Sequence, residues 1–229
     1  MAKRNTEANR HPYEAHRERQ RRRILEAAER LFDERGMDRA TMAEITAASG
    51  VRASTVYQYF SNKDAIVWAI LEGVFAEAAA RIKAAMEGSE TALGKITALV
   101  DVMAEDLARR RATVRFMAQF DATYAREWPA ERLIAIEARI SKGGFAQFRK
   151  LIRDGVADGS LRSDLDADVT MHAVMNALIG AQRRLAMLGD RVEKEYGKPV
   201  DALFREASRV ILLGLRAEKK DGKRRKWKA

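Results

Sequence analysis

Apolar residues recur every three or four positions along almost the whole chain, and no segment alternates apolar and polar residues with a period of two. This spacing places the apolar side chains on one face of a helix. The residues that interrupt helices are sparse, with 14 glycines and 3 prolines among 229 residues. The pattern therefore predicts an all-α protein with about nine helices and no strand.

Several short helices are predicted close together near the amino terminus. A periodic segment from Ile24 to Phe32 ends at Gly36, which suits a left-handed helix cap. Thr41-Met-Ala-Glu44 matches a capping box, in which hydroxyl and carboxylate satisfy backbone donors at a helix start. This short helix ends at Gly50, and residues 53–60 predict another. A short helix, a tight turn and a second short helix are typical of a helix-turn-helix.

Longer helices are predicted in the rest of the chain. One begins near Ser61, and the others cover roughly 91–111, 113–124, 129–155, 169–188 and 199–215. The pair Gly143-Gly144 weakens the helix that contains it, so we expect a bend or a close helix contact there.

Charge is concentrated at the two ends of the chain. Of the net charge of +10, residues 1–23 carry eight bases and three acids, and residues 216–229 carry eight bases and two acids, so that the body between them is nearly neutral. Basic chain ends attract polyanions, with nucleic acid the usual partner and anionic membrane the second. A solvated tail that promotes solubility is the alternative for each end.

Composition and motifs exclude several classes of protein. The absence of cysteine excludes a disulfide framework, a thiolate metal site and a Cys nucleophile, and suits a reducing cytosol. No stretch reaches the roughly 18 clean apolar residues of a membrane span, and the basic amino terminus lacks the apolar region of a secretory signal. We therefore expect a cytoplasmic protein.

No catalytic or metal-binding constellation emerges from the sequence. Asp164, Asp166 and Asp168 copy the opening of a calcium loop, but Val169 replaces its glycine and Met175 its bidentate glutamate, so helix capping is the better interpretation. The three histidines do not form a zinc set. Catalytic triads and phosphate-binding loops are missing. We expect neither an enzyme nor a metal or other cofactor.

The segment ILEAAERLFDERGMDRATMAEITAASGVRASTVYQYFSNKDAI, residues 24–66, resembles the amino-terminal domain of the tetracycline-repressor (TetR) family of transcriptional regulators. The matching positions follow in order without a gap and are Ile24, Ala27, Ala28, Leu31, Phe32, Gly36, Thr41, Gly50, Val51, Thr55, Val56, Tyr57, Tyr59, Phe60 and Lys63. Two positions depart from the family pattern. Thr46 replaces an alanine, which fits if its hydroxyl bonds back to a helix carbonyl. Arg52 replaces a serine that often caps the recognition helix, which predicts a weaker cap.

The resemblance implies a DNA-binding role for the polar residues of this segment. The implied phosphate contacts are Thr41, Thr55, Tyr59 and Lys63, and the implied groove-facing positions are Arg52, Ser54, Tyr57 and Gln58. Residue chemistry agrees, because glutamine can bond adenine bidentately and arginine can reach guanine. Hydroxyl groups suit phosphate oxygens.

The resemblance also implies an effector pocket and a dimer interface in the carboxy-terminal part. Aromatic, Met and polar residues at helical spacings are pocket candidates, although core packing is the alternative for most: Trp68, Met103, Phe116, Phe120, Tyr124, Phe148, Met175 and Asn176. Gln182 is a further candidate polar anchor. Small and apolar residues on the last two long helices are dimer candidates: Ala173, Ala177, Gly180, Ala181, Phe204, Ala207 and Ile211. Packing within one subunit is the alternative for these.

These observations predict a basic arm (residues 1–20), a helix-turn-helix domain (21–66), an effector and dimerisation domain (67–217) and a basic tail (218–229). The predicted function is a homodimeric, ligand-responsive repressor whose two recognition helices enter successive major grooves of a palindromic operator, about 34–36 Å apart. The amino-terminal arm would reach an adjacent minor groove. The alternative function is a helical scaffold or membrane-surface protein whose basic ends bind anionic partners.

Overall fold

The computed structural model describes residues 4–140 and 144–218, and it gives the burial of the side chains of 14–140 and 147–218. This part of the chain contains eleven α-helices and no strand, apart from an isolated antiparallel bridge between Leu161 and Arg216. The all-α prediction is confirmed. The predicted number of about nine helices is wrong.

Two differences account for the additional helices. The single helix predicted over 129–155 is two helices, Ala130–Ile140 and Gly144–Ala157. A short helix, Asp190–Tyr196, lies between Gly189 and Gly197, which both have positive φ. Its seven residues are too few for apolar periodicity to be detected in the sequence.

The chain folds into two compact units, and the division between them falls within the fourth helix, after Ala78. The first unit comprises the chain up to Ala78 and residues Arg110–Ile140. Its helices are α1 (Arg4–Arg35), α2 (Met42–Ser49), α3 (Ala53–Tyr59), the first part of α4 (Lys63–Glu87), α6 (Arg111–Tyr124) and α7 (Ala130–Ile140). The second unit includes α5 (Ala92–Arg109), α8 (Gly144–Ala157), α9 (Ala167–Leu188), α10 (Asp190–Tyr196) and α11 (Val200–Leu215).

The core of the first unit is built around the apolar face of α1. Ile24 and Phe32 on that face are fully buried, as are Ile45 of α2 and Val56 of α3. Phe116 of α6 stacks on Phe32, with 6.3 Å between ring centroids. The helix-turn-helix therefore shares one apolar core with α6, although the two are more than fifty residues apart in the sequence.

In the second unit α5 packs against α8, α9 and α11. The buried Gln182 on α9 donates from Nε2 to the carbonyl oxygen of Met103 on α5 at 2.7 Å. Its Nε2 is thus bonded within the core of this unit, and its role as a polar anchor for a ligand stays a prediction. Asp166 caps α9 by accepting from the backbone N–H groups of Asp168 and Val169 at 2.8 and 3.1 Å, which confirms the capping interpretation of the aspartate run.

The structure describes most of the basic amino-terminal end of the chain but almost none of the basic carboxy-terminal end. Helix α1 begins at Arg4, so residues 4–20 of the predicted arm are helical and continuous with the helix-turn-helix domain. The predicted bend at Gly143 and the predicted basic tail beyond residue 218 lie outside the described residues. Along the described ranges, no helix combines the length and apolar character that a membrane crossing requires.

Candidate nucleic-acid interface

The start of α2 is fixed by the predicted capping box. The backbone N–H of Thr41 donates to Glu44 Oε2 at 2.9 Å, and the backbone N–H of Glu44 donates to Thr41 Oγ1 at 3.3 Å. The hydrogen bond from the Thr41 backbone is the main reason that the pKa of Glu44 lies below its ordinary value. Arg35 adds an ion pair to the same carboxylate, 2.6 Å from Nη1 to Oε1. The capping-box prediction is confirmed.

The turn between α2 and α3 depends on Gly50. Its φ of 61° and ψ of 22° lie in the left-handed region, where a side chain is strained. A Cβ built at this position would lie 2.7 Å from Nη2 of Arg23 on α1. The same guanidinium donates to the Gly50 carbonyl oxygen at 3.4 Å. Glycine therefore allows both the turn and the close approach of α1.

Two hydroxyl groups stabilise the end of α2. Thr46 Oγ1 donates to the carbonyl oxygen of Met42 at 2.7 Å. This is the hydrogen bond that was expected if threonine replaces the alanine of the family pattern at this position. Ser49 Oγ accepts from the backbone N–H of Val51 at 3.2 Å and donates to the Thr46 carbonyl oxygen. The end of α2 and the first residue after the turn are thus held by local side-chain hydrogen bonds.

Helix α3 has a buried face and an exposed polar face. Its inner face buries Val56 completely, and Phe60 directly after it is 4% exposed. The predicted groove-facing residues Arg52, Ser54, Tyr57 and Gln58 are all exposed. Arg52 is the residue before the helix and makes no side-chain cap, as expected from its departure from serine. The polar face of α3 is therefore available to bind a partner outside the chain.

The predicted phosphate-contact residues also hold the domain together. The Tyr59 hydroxyl donates to the carbonyl oxygen of Arg17 at 3.1 Å, and Gln20 Oε1 lies 3.3 Å away. Lys63 Nζ donates to the carbonyl oxygens of Met37 and Asp38 at 2.8 and 3.0 Å. These contacts tie Tyr59 to α1 and Lys63 to the segment after α1, and they restrict the motion of both side chains.

Sequence reasoning missed the residues that join α6 to the end of α1. Gln119 Oε1 accepts from the backbone N–H of Met37 at 2.6 Å, and its Nε2 donates to the carbonyl oxygen of Phe32 at 3.0 Å. Arg115 forms a bidentate pair with Asp33, with distances of 2.6 and 2.7 Å. Gln119 and Arg115 are separated from these bonding partners by 82 to 87 residues, so no local sequence pattern indicates that they form these bonds.

Four predicted pocket residues form or adjoin an aromatic cluster in the first unit: Trp68, Phe116, Phe120 and Tyr124. The ring of Trp68 meets Phe120 edge-on at 5.2 Å and Tyr124 at 5.6 Å between centroids. Trp128 approaches Phe120 at 6.2 Å and is half exposed. Phe116 and Phe120 are otherwise core residues of the unit.

A charged layer covers one side of this cluster. The Arg132 guanidinium lies 3.7 Å from the centre of the Trp68 ring. The Tyr124 hydroxyl donates to the carboxylate of Asp64, which also lies 3.8 Å from Arg132. Burial, together with this hydrogen bond, raises the pKa of Tyr124. The tyrosine therefore remains a neutral donor at physiological pH.

The other four predicted pocket residues belong to the second unit: Met103, Phe148, Met175 and Asn176. Met103 is buried, whereas Phe148 and Met175 are partly buried. Asn176 is exposed, and its amide donates to the carbonyl oxygen of His172 on its own helix at 2.8 Å. Two cavities of this unit, of about 410 and 330 Å³, are lined by none of the eight predicted residues.

The predicted dimer residues divide between an exposed face and the core. Ala173, Ala177 and Gly180 are exposed along α9, and Ala181 is partly buried. On α11, Ala207 and Ile211 are partly buried, whereas Phe204 is fully buried within the subunit. Larger apolar side chains are exposed on the same two helices, namely Val169, Met187, Val210 and Leu213.

No group of three or more His or acidic residues among the described residues could hold a metal ion.

The chain is similar to known bacterial transcriptional regulators. A model of the tetR family of bacterial regulatory proteins matches residues 24–70, which include α2, α3 and the first turns of α4. The HTH-type transcriptional repressor KstR2 of Mycolicibacterium smegmatis is 27% identical over 146 residues, which are 64% of this chain and 69% of that relative. The expectation of a regulator rather than an enzyme is confirmed by these matches.

Solved structures share the fold of most of the chain. The fatty acid degradation regulator FadR from Bacillus halodurans has a TM-score of 0.65 and 21% identity, over 87% of this chain and 97% of the other. SmeT in a complex with triclosan has a TM-score of 0.65 and 23% identity, over 89% and 93% of the two chains.

Proposed function

We propose, on the premise that this chain belongs to the tetR family of bacterial regulatory proteins and is a DNA-binding transcriptional regulator, that it represses transcription from a palindromic operator. It would bind that operator as a homodimer and leave it when a small molecule binds. It would act in the cytoplasm, together with its DNA partner. The observation that carries the proposal is the polar face of α3, exposed on a helix whose opposite face is buried.

The exposed residues of α3 have the chemistry to read base edges. The major groove admits one α-helix and presents a distinct pattern of donors and acceptors for each base pair. Gln58 can bond adenine through both amide atoms, and Arg52 can bond guanine. Ser54 and Tyr57 are exposed between them and can bond either bases or phosphates.

The residues at the edge of α3 suit the DNA backbone. Tyr59 and Thr55 are partly buried hydroxyl residues, and Thr41 is exposed at the start of α2. Lys63 donates two of its three N–H groups to backbone carbonyls, which leaves one for a phosphate. Phosphate contacts of this kind fix the orientation of the domain and carry no sequence information directly.

A symmetric pair of subunits is supported by the exposed small residues of α9. Ala173, Ala177 and Gly180 recur at helical spacing and let another helix approach closely. A Cβ added at Gly180 would meet no atom within 4 Å, so the subunit itself does not require glycine there. Val210 and Leu213 expose apolar surface on α11 that a second subunit would bury. A twofold axis between subunits would produce the two equivalent recognition helices of a palindromic site.

An apolar small molecule is the effector that the surroundings favour. The solved SmeT structure is a complex with triclosan, and the aromatic cluster of this chain offers apolar surface with Asp64, Tyr124 and Arg132 as polar groups. An effector regulates only through different affinities for the two dimer states, a coupling typically of about 1–3 kcal/mol. Effector and operator must therefore weaken each other's binding by the same factor.

Selection of preferred sites from random duplex DNA tests the proposal. We expect an inverted repeat whose half-sites are centred about 10–10.5 base pairs apart, or a multiple of that distance. A selected site without inverted symmetry would exclude the dimeric arrangement, and no enrichment at all would exclude sequence-specific binding.

Two variants then separate base contacts from phosphate contacts. Gln58→Ala should relax the preference at one position of each half-site, because a bidentate contact contributes about 1–3 kcal/mol of discrimination. Lys63→Ala should weaken binding to all sequences to a similar degree. Urea unfolding of the Lys63 variant measures how much of its effect comes from the two lost carbonyl bonds. Wild-type selectivity in Gln58→Ala would contradict the assigned contact.

A further inference from the structure

A groove runs between α5 and α11, which pack side by side in the second unit. It encloses a cavity of about 330 Å³, whose walls are residues 93–104 of α5 and residues 205–216 at the end of α11 and directly after it. Proteins bind small molecules in cavities of about 300–1,000 Å³, so this volume lies at the lower end of that range. None of the predicted effector residues lines the groove.

The floor of the groove is mainly apolar. Val100 and Ala104 of α5 are buried there, and Leu212 of α11 is partly buried. The hydroxyl groups of Thr97 and Ser208 also belong to the walls, but they donate to carbonyl oxygens of their own helices at 2.8 and 2.7 Å. A molecule in the groove therefore meets apolar surface along the floor, which favours an apolar chain.

The rim of the groove is cationic. Arg205, Arg209 and Arg216 line it, and steps of four and seven residues keep their side chains within about 40° on one face of the helix. Arg209 pairs with Glu206, 2.6 Å from Nη2 to Oε1. Arg205 and Arg216 are exposed, and neither side chain makes a hydrogen bond or ion pair with a residue that the structure describes. Asp101 is the acid among the described lining residues, so positive charge is in excess.

We propose that this groove is a binding site for an anionic amphiphile, a carboxylate with one apolar chain. The chain would lie on the floor beside Leu212, and the carboxylate would pair with Arg205 or Arg216. The two arginines stand about 16 Å apart along the helix axis, so a head group at either end leaves the chain along the floor. A guanidinium presents a planar pair of donors that matches a carboxylate.

The two parts of the site exclude simpler occupants. A small inorganic anion would use the arginines but not the apolar floor, and a neutral hydrocarbon would use the floor but not the arginines. The inference goes beyond the proposed function, because this site requires neither operator DNA nor an effector at the aromatic cluster of the first unit.

Calorimetric titration of the full-length protein without DNA tests the requirement for a chain. The probes are acetate, hexanoate and decanoate below the concentration at which decanoate forms micelles. Each methylene group that becomes buried raises the affinity by up to about fourfold. Decanoate should therefore bind at least about tenfold more tightly than hexanoate, and acetate should show no measurable binding.

Charge reversal then locates the site. The variant Arg205→Glu/Arg216→Glu changes the rim, and Arg153→Glu/Arg191→Glu is the matched control, because its two exposed arginines lie on α8 and α10 outside the groove. Both variants are titrated with decanoate and with decyltrimethylammonium, which has the same chain and the opposite charge. The ratio of the two affinities should fall about 5- to 25-fold in the groove variant, since an exposed ion pair contributes up to about fivefold for each probe. The control should keep the wild-type ratio.

Thermal melting verifies that each variant is folded at the assay temperature. An unchanged ratio in the groove variant, or an equal change in the control, would overturn the inference. Affinity that does not depend on chain length would assign the arginines to simple anions and overturn it too. Decanoate that competes with dimer formation in sedimentation equilibrium would assign the groove to a second copy of the chain, with the same consequence. The proposed function is tested separately by selection from duplex DNA without carboxylate, so either result can fail alone.

Discussion

Replacing Gln119 by methionine should destabilise the first unit, because this side chain bonds two backbone groups at the end of α1 and directly after it. Its carboxamide accepts from the N–H of Met37 and donates to the carbonyl oxygen of Phe32. Methionine has similar length and retains the apolar contacts of the stem, but provides neither bond.

The expected loss follows from these two bonds. Each contributes about 1 kcal/mol to the net free energy of unfolding. The Phe32 carbonyl keeps a second partner, since it also accepts from the N–H of Gly36 at 3.0 Å. The N–H of Met37 belongs to a residue that is only 3% exposed, and an unsatisfied donor there adds about 1 kcal/mol or more. We therefore expect a loss of about 2–4 kcal/mol for Gln119→Met.

Urea unfolding at a fixed protein concentration, without DNA, measures this loss as a shift of the midpoint at constant m-value. The matched control is Gln58→Met, the same chemical change at an exposed position of α3, which should stay within about 0.5 kcal/mol of wild type. Equal midpoints for the two variants would refute the assignment of Gln119 as the link between α6 and α1.

Three further changes test other parts of the structure. Gly50→Ala should cost roughly 1–2 kcal/mol in urea unfolding, because alanine is strained at a φ of 61°, and an unchanged midpoint would contradict this. Gly180→Leu should convert the proposed dimer to a monomer in sedimentation equilibrium. The control Gly73→Leu, at an equally open helical glycine of α4, should leave the dimer intact. A Gly180 variant that stays dimeric would exclude this part of α9 from the interface. The pKa of Glu44 is lowered in the folded state by the Thr41 backbone bond, so its contribution to stability is present at neutral pH and lost as the pH falls below about 4.5. The melting temperature of wild type should therefore approach that of Glu44→Gln between pH 7 and pH 3, and a constant difference would refute the effect.

The sequence predicted those features of the fold that depend on residues a few positions apart. The capping box at Thr41 and Glu44 needs only a spacing of three, and the turn at Gly50 needs only a residue that tolerates positive φ. Both act within single helices or turns, so their geometry is almost independent of the rest of the chain. The exposed positions of α3 were implied by the resemblance of residues 24–66 to the TetR family, and the structure finds all four of them exposed.

Other features depend on contacts that periodicity does not contain. The partners of Gln119 are more than eighty residues away, and nothing near Gln119 distinguishes it from a surface glutamine. The helical start of α1 was missed because its charged residues lack an apolar face, which removes the signal by which helices are detected.

The hydrogen bond between Gln182 and Met103 fixes the register of α9 against α5. A slide of either helix by one turn, about 5.4 Å, would strand a carboxamide in an apolar interior. Ridge-and-groove packing alone permits such steps, since one turn further along presents a similar surface. A single glutamine thus penalises a slide of α5 along α9 and favours movements in which the two helices keep their register.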